Sequence, residues 1–494
     1  MIMTQEQAFL KAQCQLTDLI AFVRAAPDAG LRVDQVERGL FHRLLQLGHC
    51  LLSAHVAAHG DGDVGENTTA PDGQTCRKLP QPHPRTYRSI FGPLTIDRVV
   101  YGSREGQKIT WVPLDARLGL PEGEFSYLLE DWAQRLCLRG AFAEARDSLA
   151  ELLGLQPSVR SLEHMSRSVA PAAAAFAEHR PAPPVAEEGE VLVLTADGKG
   201  VPMRRPAMAG PRRHPRRHKG EKANKKQMAY VGAAYTIAPY VRTADQVLHE
   251  LQGAQLPPTR PQPRHKHVWA EMTRVVQGEP CNGRVALFAH LAAQRQRRDP
   301  SAQKPTVCLF DGEPALWDEW LVWLGDTIGI LDIFHVLERL WDAAYCFHAE
   351  ASREAEAFVT ARLRMLLEGK VAGVISGLRQ MGTKHGLKGS KARSLAVVAN
   401  YLENNQDFMR YDEYLAAGYP IGSGVAEGAC RHLVKDRLEQ TGMRWTVEGA
   451  QAILHLRATY LNGDWEAFCA YRIEEEQRRL YQAPAQEPQF AQAG

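Results

Sequence analysis

Three short apolar runs, each ending in an aspartate, constrain what this chain can fold into more than any other feature. They are EVLVLTADGKG (190–200), TVCLFDGEPALWDEW (306–320) and TIGILDIFHVLERLWDAAYCF (327–347). Their β-branched and leucine stretches are short, continuous and bounded by glycine or helix-forming sequence, the pattern of buried strands. Asp197, Asp311 and Asp332 are then delivered at strand ends. MAYVGAAYTI (228–237) reads as a further strand, and helical sequence separates these runs. Strands interleaved with helices predict an α/β core. Residues 348–410 are helical and charged, and GYPIGSG leads into a helix starting near Val425.

The N-terminal portion has a different texture. Residues 4–59 read as two amphipathic helices, 60–75 as a polar linker, and RTYRSIFGPLTIDRVVYGS (85–103) as a β-hairpin around Phe91-Gly92-Pro93. Residues 126–169 return to helix, and a turn at 154–158 gives the outline of a helix-turn-helix, one that many non-DNA-binding helix pairs share. The Ala/Pro-rich stretch 170–190 predicts a domain boundary. The predicted segments are N-terminal helices (1–65), a hairpin and helix-turn-helix-like DNA-binding region (66–180), a first core part (186–345), a helical insertion (346–410), a second core part (411–465) and a tail (466–494).

Composition narrows the partners. Hydrophobic residues are 45% and charged residues 23% of 494, which excludes wholesale disorder. A formal net charge of +2 means that any nucleic-acid affinity must come from local patches. Nine cysteines without a CxxC pair support neither a zinc site nor a disulfide framework. The start, MIMTQEQAFLKAQCQ, lacks the apolar core of a secretory signal, and no run approaches a membrane span. The expectation is a soluble, cytoplasmic protein associated with the nucleoid, without membrane contact.

Carboxylates on different elements supply the hard oxygen donors that Mg²⁺ or Mn²⁺ requires, and two such ions can clamp a phosphodiester. Asp197, Asp311 and Glu427 are the candidates. Each alone has a plain explanation: an aspartate before glycine often makes a turn, and a glutamate in a helix's first turn complements the dipole. Asp332 rivals Asp311 for the second position. Next to the first strand, 201–230 carries Arg204, Arg205, Arg212, Arg213, Arg216, Arg217, Lys219, Lys222, Lys225 and Lys226 against one acid, Glu221. Such a run attracts phosphates. Arg431 and Lys435, one and two turns beyond Glu427, would share its helix face as phosphate contacts or as a surface ion pair.

The motifs ADGKG (196–200), FDGEPALW (310–317), DIFH (332–335) and GYPIGSGVAEGACRHLVKDRLEQTGMRW (418–445) resemble the ISKra family of bacterial insertion-sequence transposases, itself similar to the Mutator-like DDE group. The last motif is long and specific; the first two are short. The resemblance implies Asp197, Asp311 and Glu427 as catalytic, metal-holding residues, with Asp332 and His335 as the neighbouring D-x-x-H element. It implies an α/β RNase H-like catalytic core interrupted by an α-helical insertion, with an N-terminal DNA-binding region. A Mg²⁺ or Mn²⁺ two-metal site, double-stranded DNA as partner (transposon ends and target), and a homodimer or larger assembly on DNA are also implied. No zinc is expected, because only Cys76 lies near the hairpin. Spacing agrees with this: the interval from Asp311 to Glu427 is far longer than a single crossover, for which about a dozen residues suffice. Two alternatives stay open, a nuclease of the same fold without strand transfer and a DNA-binding derivative without catalysis.

Overall fold

The structure, a computed structural model, describes residues 5–102, 109–204, 226–253, 259–440 and 442–482. Two compact units emerge, Met1–Phe176 with Trp465–Gly494, and Ala177–Asp464.

In the first unit, the helices Gln5–Ala25 and Val33–Ala58 match the amphipathic pattern read at 4–59. The hairpin pairs Arg85–Ser89 with Gly92–Ile96, Ser89 opposite Gly92, as the Phe91-Gly92-Pro93 signal predicts. The polar stretch expected to be a linker is partly sheet: Asn67–Thr69 pairs with Thr75–Lys78, which pairs in turn with Tyr101–Gly102. Cys76 and Tyr101 are buried beneath this small sheet, so polar composition hid an alternating strand. Helices Tyr127–Arg139, Phe142–Leu153 and Val159–His179 enclose a core of Leu129, Ala133, Cys137, Ala145, Leu149, Leu162 and Met165. Burying each leucine contributes roughly 1.5–3 kcal/mol. Gly154 closes the middle helix at φ 68°, a left-handed cap that glycine adopts without strain. The third helix continues through Pro171 to His179, so the first part of the stretch 170–190 is helical, and the division between the two units at Phe176 and Ala177 falls within that stretch. The packing of Val169, Ala170 and Ala173, buried on the same helix, helps offset the hydrogen bond that the proline removes.

The segment from 466 onward, expected to be a tail, contains the helix Trp465–Tyr481, which belongs to this unit. Trp465 and Phe468 are buried. Trp465 Nε1 donates to Asp131 at 2.6 Å, Arg472 pairs with Glu130 at 2.8 Å, and Tyr481 donates to the Leu120 carbonyl at 2.6 Å. Its charged sequence conceals one apolar and hydrogen-bonding face.

The second unit is built on a five-stranded mixed sheet. Its strands are β1 (Val191–Pro202), β2 (Lys226–Ile237), β3 (Arg264–Met272), β4 (Thr306–Phe310) and β5 (Ile328–Leu331), in the order β5-β4-β1-β2-β3. β4 runs parallel to both β1 and β5, whereas β1-β2 and β2-β3 are antiparallel. Every residue of β4, and β1 from Val191 to Ala196, is buried, as continuous apolar runs require. Helices α1 (Gly283–Arg298), α2 (Pro314–Leu324) and α3 (Ile333–Ala344) alternate with the later strands. The helical block then supplies Arg353–Leu367, Val371–Lys384 and α4 (Gly389–Asn404). α5 (Gly424–Ala429) and α6 (Val447–Leu461) follow.

A buried polar chain joins β3, α1 and the end of α6. Asn462 accepts from the Val268 amide and donates to the Val268 carbonyl, and its Nδ2 lies 3.0 Å from His267 Nδ1. His267 Nδ1 is therefore an acceptor and its Nε2–H faces His290 Nε2 at 3.2 Å. Both imidazoles are neutral in this arrangement. Burial is the main cause that lowers the pKa of each, with Arg297 adding to it, and His290 is pushed down to about 3. A folded pKa below the unfolded one gives stability that is complete above about pH 6.5 and is lost as pH falls. Unfolding free energies from urea titrations should thus drop between pH 6.5 and 3, by at most about 1.4 kcal/mol per pH unit for each imidazole. A double variant, His267→Gln with His290→Gln, should show a flatter dependence; an unaltered slope would remove the pair from the explanation.

Candidate active site

Parallel pairing fixes where the three aspartates go. Ala196 of β1, Phe310 of β4 and Leu331 of β5 lie abreast in register. Asp197, Asp311 and Asp332 are the next residue on each strand, so they line one edge of the sheet, where neighbouring strands are about 4.8 Å apart. β1 sits in mid-sheet between its parallel neighbour β4 and its antiparallel neighbour β2. The chain leaves β1 towards β2 and leaves β4 towards β5 on the other side, so the carboxyl ends of β1 and β4 flank a topological switch point, where open α/β sheets bind ligands. Asp197 does not end its strand, as the apolar run suggested. β1 continues to Pro202 along β2, and only its pairing with β4 stops at Ala196. Alternation of small and polar residues in DGKG hid that extension.

The carboxylates differ in what holds them. Asp197 accepts the Gly198 amide at 2.6 Å on Oδ1 and the Cys430 thiol at 3.2 Å on Oδ2. Asp311 accepts the Glu313 amide at 2.9 Å. Burial raises the Asp311 pKa; Asp197 and Asp332 add to this while His335 opposes it. Asp332 is 1% exposed, and both its oxygens are engaged. Oδ1 caps α3 by accepting the Phe334 amide at 2.9 Å; Oδ2 accepts the Ser423 amide at 3.0 Å and also the Ser423 hydroxyl. The adjoining Ile333 amide donates to the Ile421 carbonyl at 2.9 Å. Asp332 thus latches the 421–423 turn, and α5 with it, onto the sheet edge. His335, in the first turn of α3, is half-buried and acts electrostatically on Asp311, Asp332 and Glu427.

Glu427 is exposed on α5. Its pKa is raised by partial burial first, then by Asp332, with Glu338 and Asp197 adding and His335 opposing. Asp197, Asp311, Asp332, His335 and Glu427 therefore share one electrostatic neighbourhood. The chain does not stay α-helical beyond α5: Cys430–Lys435 winds as a π-helix before Asp436–Leu438 returns to α. Wider winding alters the face relation expected for Arg431 and Lys435, because three- and four-residue spacing applies only to α-helix. Both are exposed, and Arg431 lies 3.8 Å from Asp436.

No family model and no curated protein matches the chain. Among solved structures it is similar to the Drosophila P element transposase strand transfer complex, at 10% identity and a TM-score of 0.24, over 76% of this chain and 85% of that one. A TM-score that low carries no argument about fold or function.

Of the basic run, Arg204 and Lys226 are described. The Arg204 amide donates to the Trp445 carbonyl, leaving its side chain exposed, and Lys226 is paired with Glu439. Arg205, Arg212, Arg213, Arg216, Arg217, Lys219, Lys222 and Lys225 lie outside the described residues. Four neighbours were missed in the sequence. Cys430 is one helical turn from Glu427, a spacing that could have been noticed. Ser423 sits in the GSG turn. Lys199 is two residues along β1 from Asp197, and alternation predicts their shared face. Tyr401, from α4, had no signal in the sequence at all.

Among the described residues, no three His, Cys, Asp or Glu side chains are grouped so as to hold a metal ion. The donor chemistry of Asp197, Asp311 and Glu427 nonetheless suits a hard divalent cation: carboxylate oxygens on three elements, two with pKa values raised by burial and by like charges. No described helix is long and apolar enough to cross a membrane.

Proposed function

We propose that the second unit is an RNase H-like core of a DDE transposase, with Asp197, Asp311 and Glu427 as its catalytic carboxylates. The observation that carries this reading is the register that sets Asp197 and Asp311 abreast at the parallel edge of β1 and β4. Sheet order and direction are in accord with it: a central first strand, antiparallel second and third strands, and parallel fourth and fifth. The helical block between Asp311 and Glu427 is the insertion on this reading. Asp311 is preferred to Asp332 because Asp332 is 1% exposed with three donors on its two oxygens, whereas Asp311 is half-buried and accepts one amide.

Asp197, Asp311 and Glu427 would hold Mg²⁺ or Mn²⁺. Such ions, when bound, lower the pKa of water and neutralise charge on a phosphodiester. The protein's own part is placement. Gly198 and Cys430 fix both oxygens of Asp197, and the Asp332–Ser423 latch fixes the approach of α5. Water, and then a DNA 3′-hydroxyl, would attack phosphorus, each expelling a 3′-oxygen, so no covalent protein intermediate is needed. The partner is double-stranded DNA, bound at transposon ends and target, with a homodimer or larger assembly joining two ends.

Incubation with labelled 3′-hydroxyl ends and plasmid target tests the reading. Joined products support a transposase; hydrolysis alone favours a nuclease; neither, with tight DNA binding, favours a derivative without catalysis. The basic run gives a separate prediction. Neutralising Arg212, Arg213, Arg216 and Arg217 should weaken binding equally across sequences. Each lost phosphate contact should reduce the log–log salt slope by about 0.9. Full affinity with an unchanged slope would make the run a solvated segment.

A further inference from the structure

Tyr401 presents an anomaly beside Asp311. It reaches the site from α4, and its ring lies so close to Gly312 that a Cβ there would come within 2.2 Å of it. Its hydroxyl is buried, and its proton has no acceptor. A buried O–H without an acceptor is a cost to folding, and native proteins seldom keep one without use. Burial, with Asp311 adding to it, pushes the phenol up to about 12, so at neutral pH it is a donor. The Gly312 amide favours the phenolate slightly without satisfying the O–H, and the Arg339 guanidinium lies 5.1 Å from the ring centroid. A lone O–H donor, with a cation on its ring, is suited to an anionic oxygen.

We infer that Tyr401 donates a hydrogen bond to a phosphodiester oxygen bound at Asp311, an inference that rests on the proposed function. The helical block would thereby contribute a substrate-contacting group to the site. Only Gly312 leaves room for the ring, so the glycine after Asp311 is part of the same arrangement.

Tyr401→Phe removes the oxygen alone. Because the hydroxyl proton has no acceptor in the free protein, the thermal midpoint should stay level or rise. In Mn²⁺-supported DNA cleavage kcat should fall about 10²-fold with KM little changed, as for loss of one donor to a reacting phosphate. A wild-type kcat, or a midpoint that falls by several degrees, would overturn the inference. Run in parallel, Asp311→Asn separates the causes. If both variants keep activity, the proposed function fails; if Tyr401→Phe alone keeps it, only the role of Tyr401 fails. A readout independent of turnover uses 3-fluorotyrosine in place of Tyr401 in the full chain. Its fluorine resonance should move when duplex oligonucleotide and Ca²⁺ are added, and an unmoved resonance counts against the contact.

Discussion

Asp311→Asn is expected to abolish metal-dependent cleavage of DNA while leaving DNA affinity nearly unchanged. The amide keeps the size of the side chain and can still accept the Glu313 amide, so the turn at 311–313 should survive. The change removes the negative charge that a divalent ion requires. Metal ions contribute several kcal/mol to a transition state, and each 1.36 kcal/mol is tenfold in rate, so the loss should reach about three orders of magnitude. Asp197→Asn and Glu427→Gln should behave alike. A Mn²⁺ titration with a labelled duplex checks this, with affinity measured separately in Ca²⁺. Should Asp311→Asn cut normally while Asp332→Asn is dead, the second carboxylate has been misassigned.

Asp332→Ala should act chiefly on stability. It strips the acceptor from the Phe334 amide, the Ser423 amide and the Ser423 hydroxyl, all at a position 1% exposed. A helix cap alone is worth about 0.5–2 kcal/mol, and each buried donor left without a partner costs about 1–3 kcal/mol. Burial raises the Asp332 pKa, so removing the carboxylate returns part of a desolvation cost. The net loss should be about 3–5 kcal/mol, against about 1 kcal/mol for Ser423→Ala. Chemical denaturation of the full chain measures both. Full stability in Asp332→Ala combined with lost activity would mean that the aspartate serves the chemistry directly.

Much of the second unit was legible because buried parallel strands leave an unmistakable trace. VLVLTA and TVCLF carry almost nothing polar to break the run, and the acid beyond each announces an exit from the sheet. The latch of Asp332 on Ser423 was not legible, since no pattern within either segment reports a bond between residues so far apart in sequence. Tyr401 was hidden for the same reason: a helix in a charged block shows which face is apolar, not which side chain reaches a distant turn. The strand at 67–69 and the helix at 465–481 were obscured by composition, where polar and charged residues on an outward face outnumber the few that are buried. The role of the basic run depends on DNA, and a charge pattern identifies the type of partner without its geometry.

The π-wound turn at Cys430–Lys435 bears on how this helix tolerates change in length. Such a turn amounts to one surplus residue accommodated inside an α-helix. Deleting any one residue from it would let the backbone relax to ordinary winding. The segments before and after the turn would then keep nearly their present phase, because the wider winding is what absorbs the surplus residue. Glu427 lies on the N-terminal side of the turn; the buried Arg437 and Leu438 anchor the C-terminal side in the core. The turn thus keeps an acid at the sheet edge in phase with its anchor despite the surplus residue. Loss of one residue from the turn should therefore be absorbed more readily than loss of one from the regular helix on either side, where the flanks would rotate by roughly 100°.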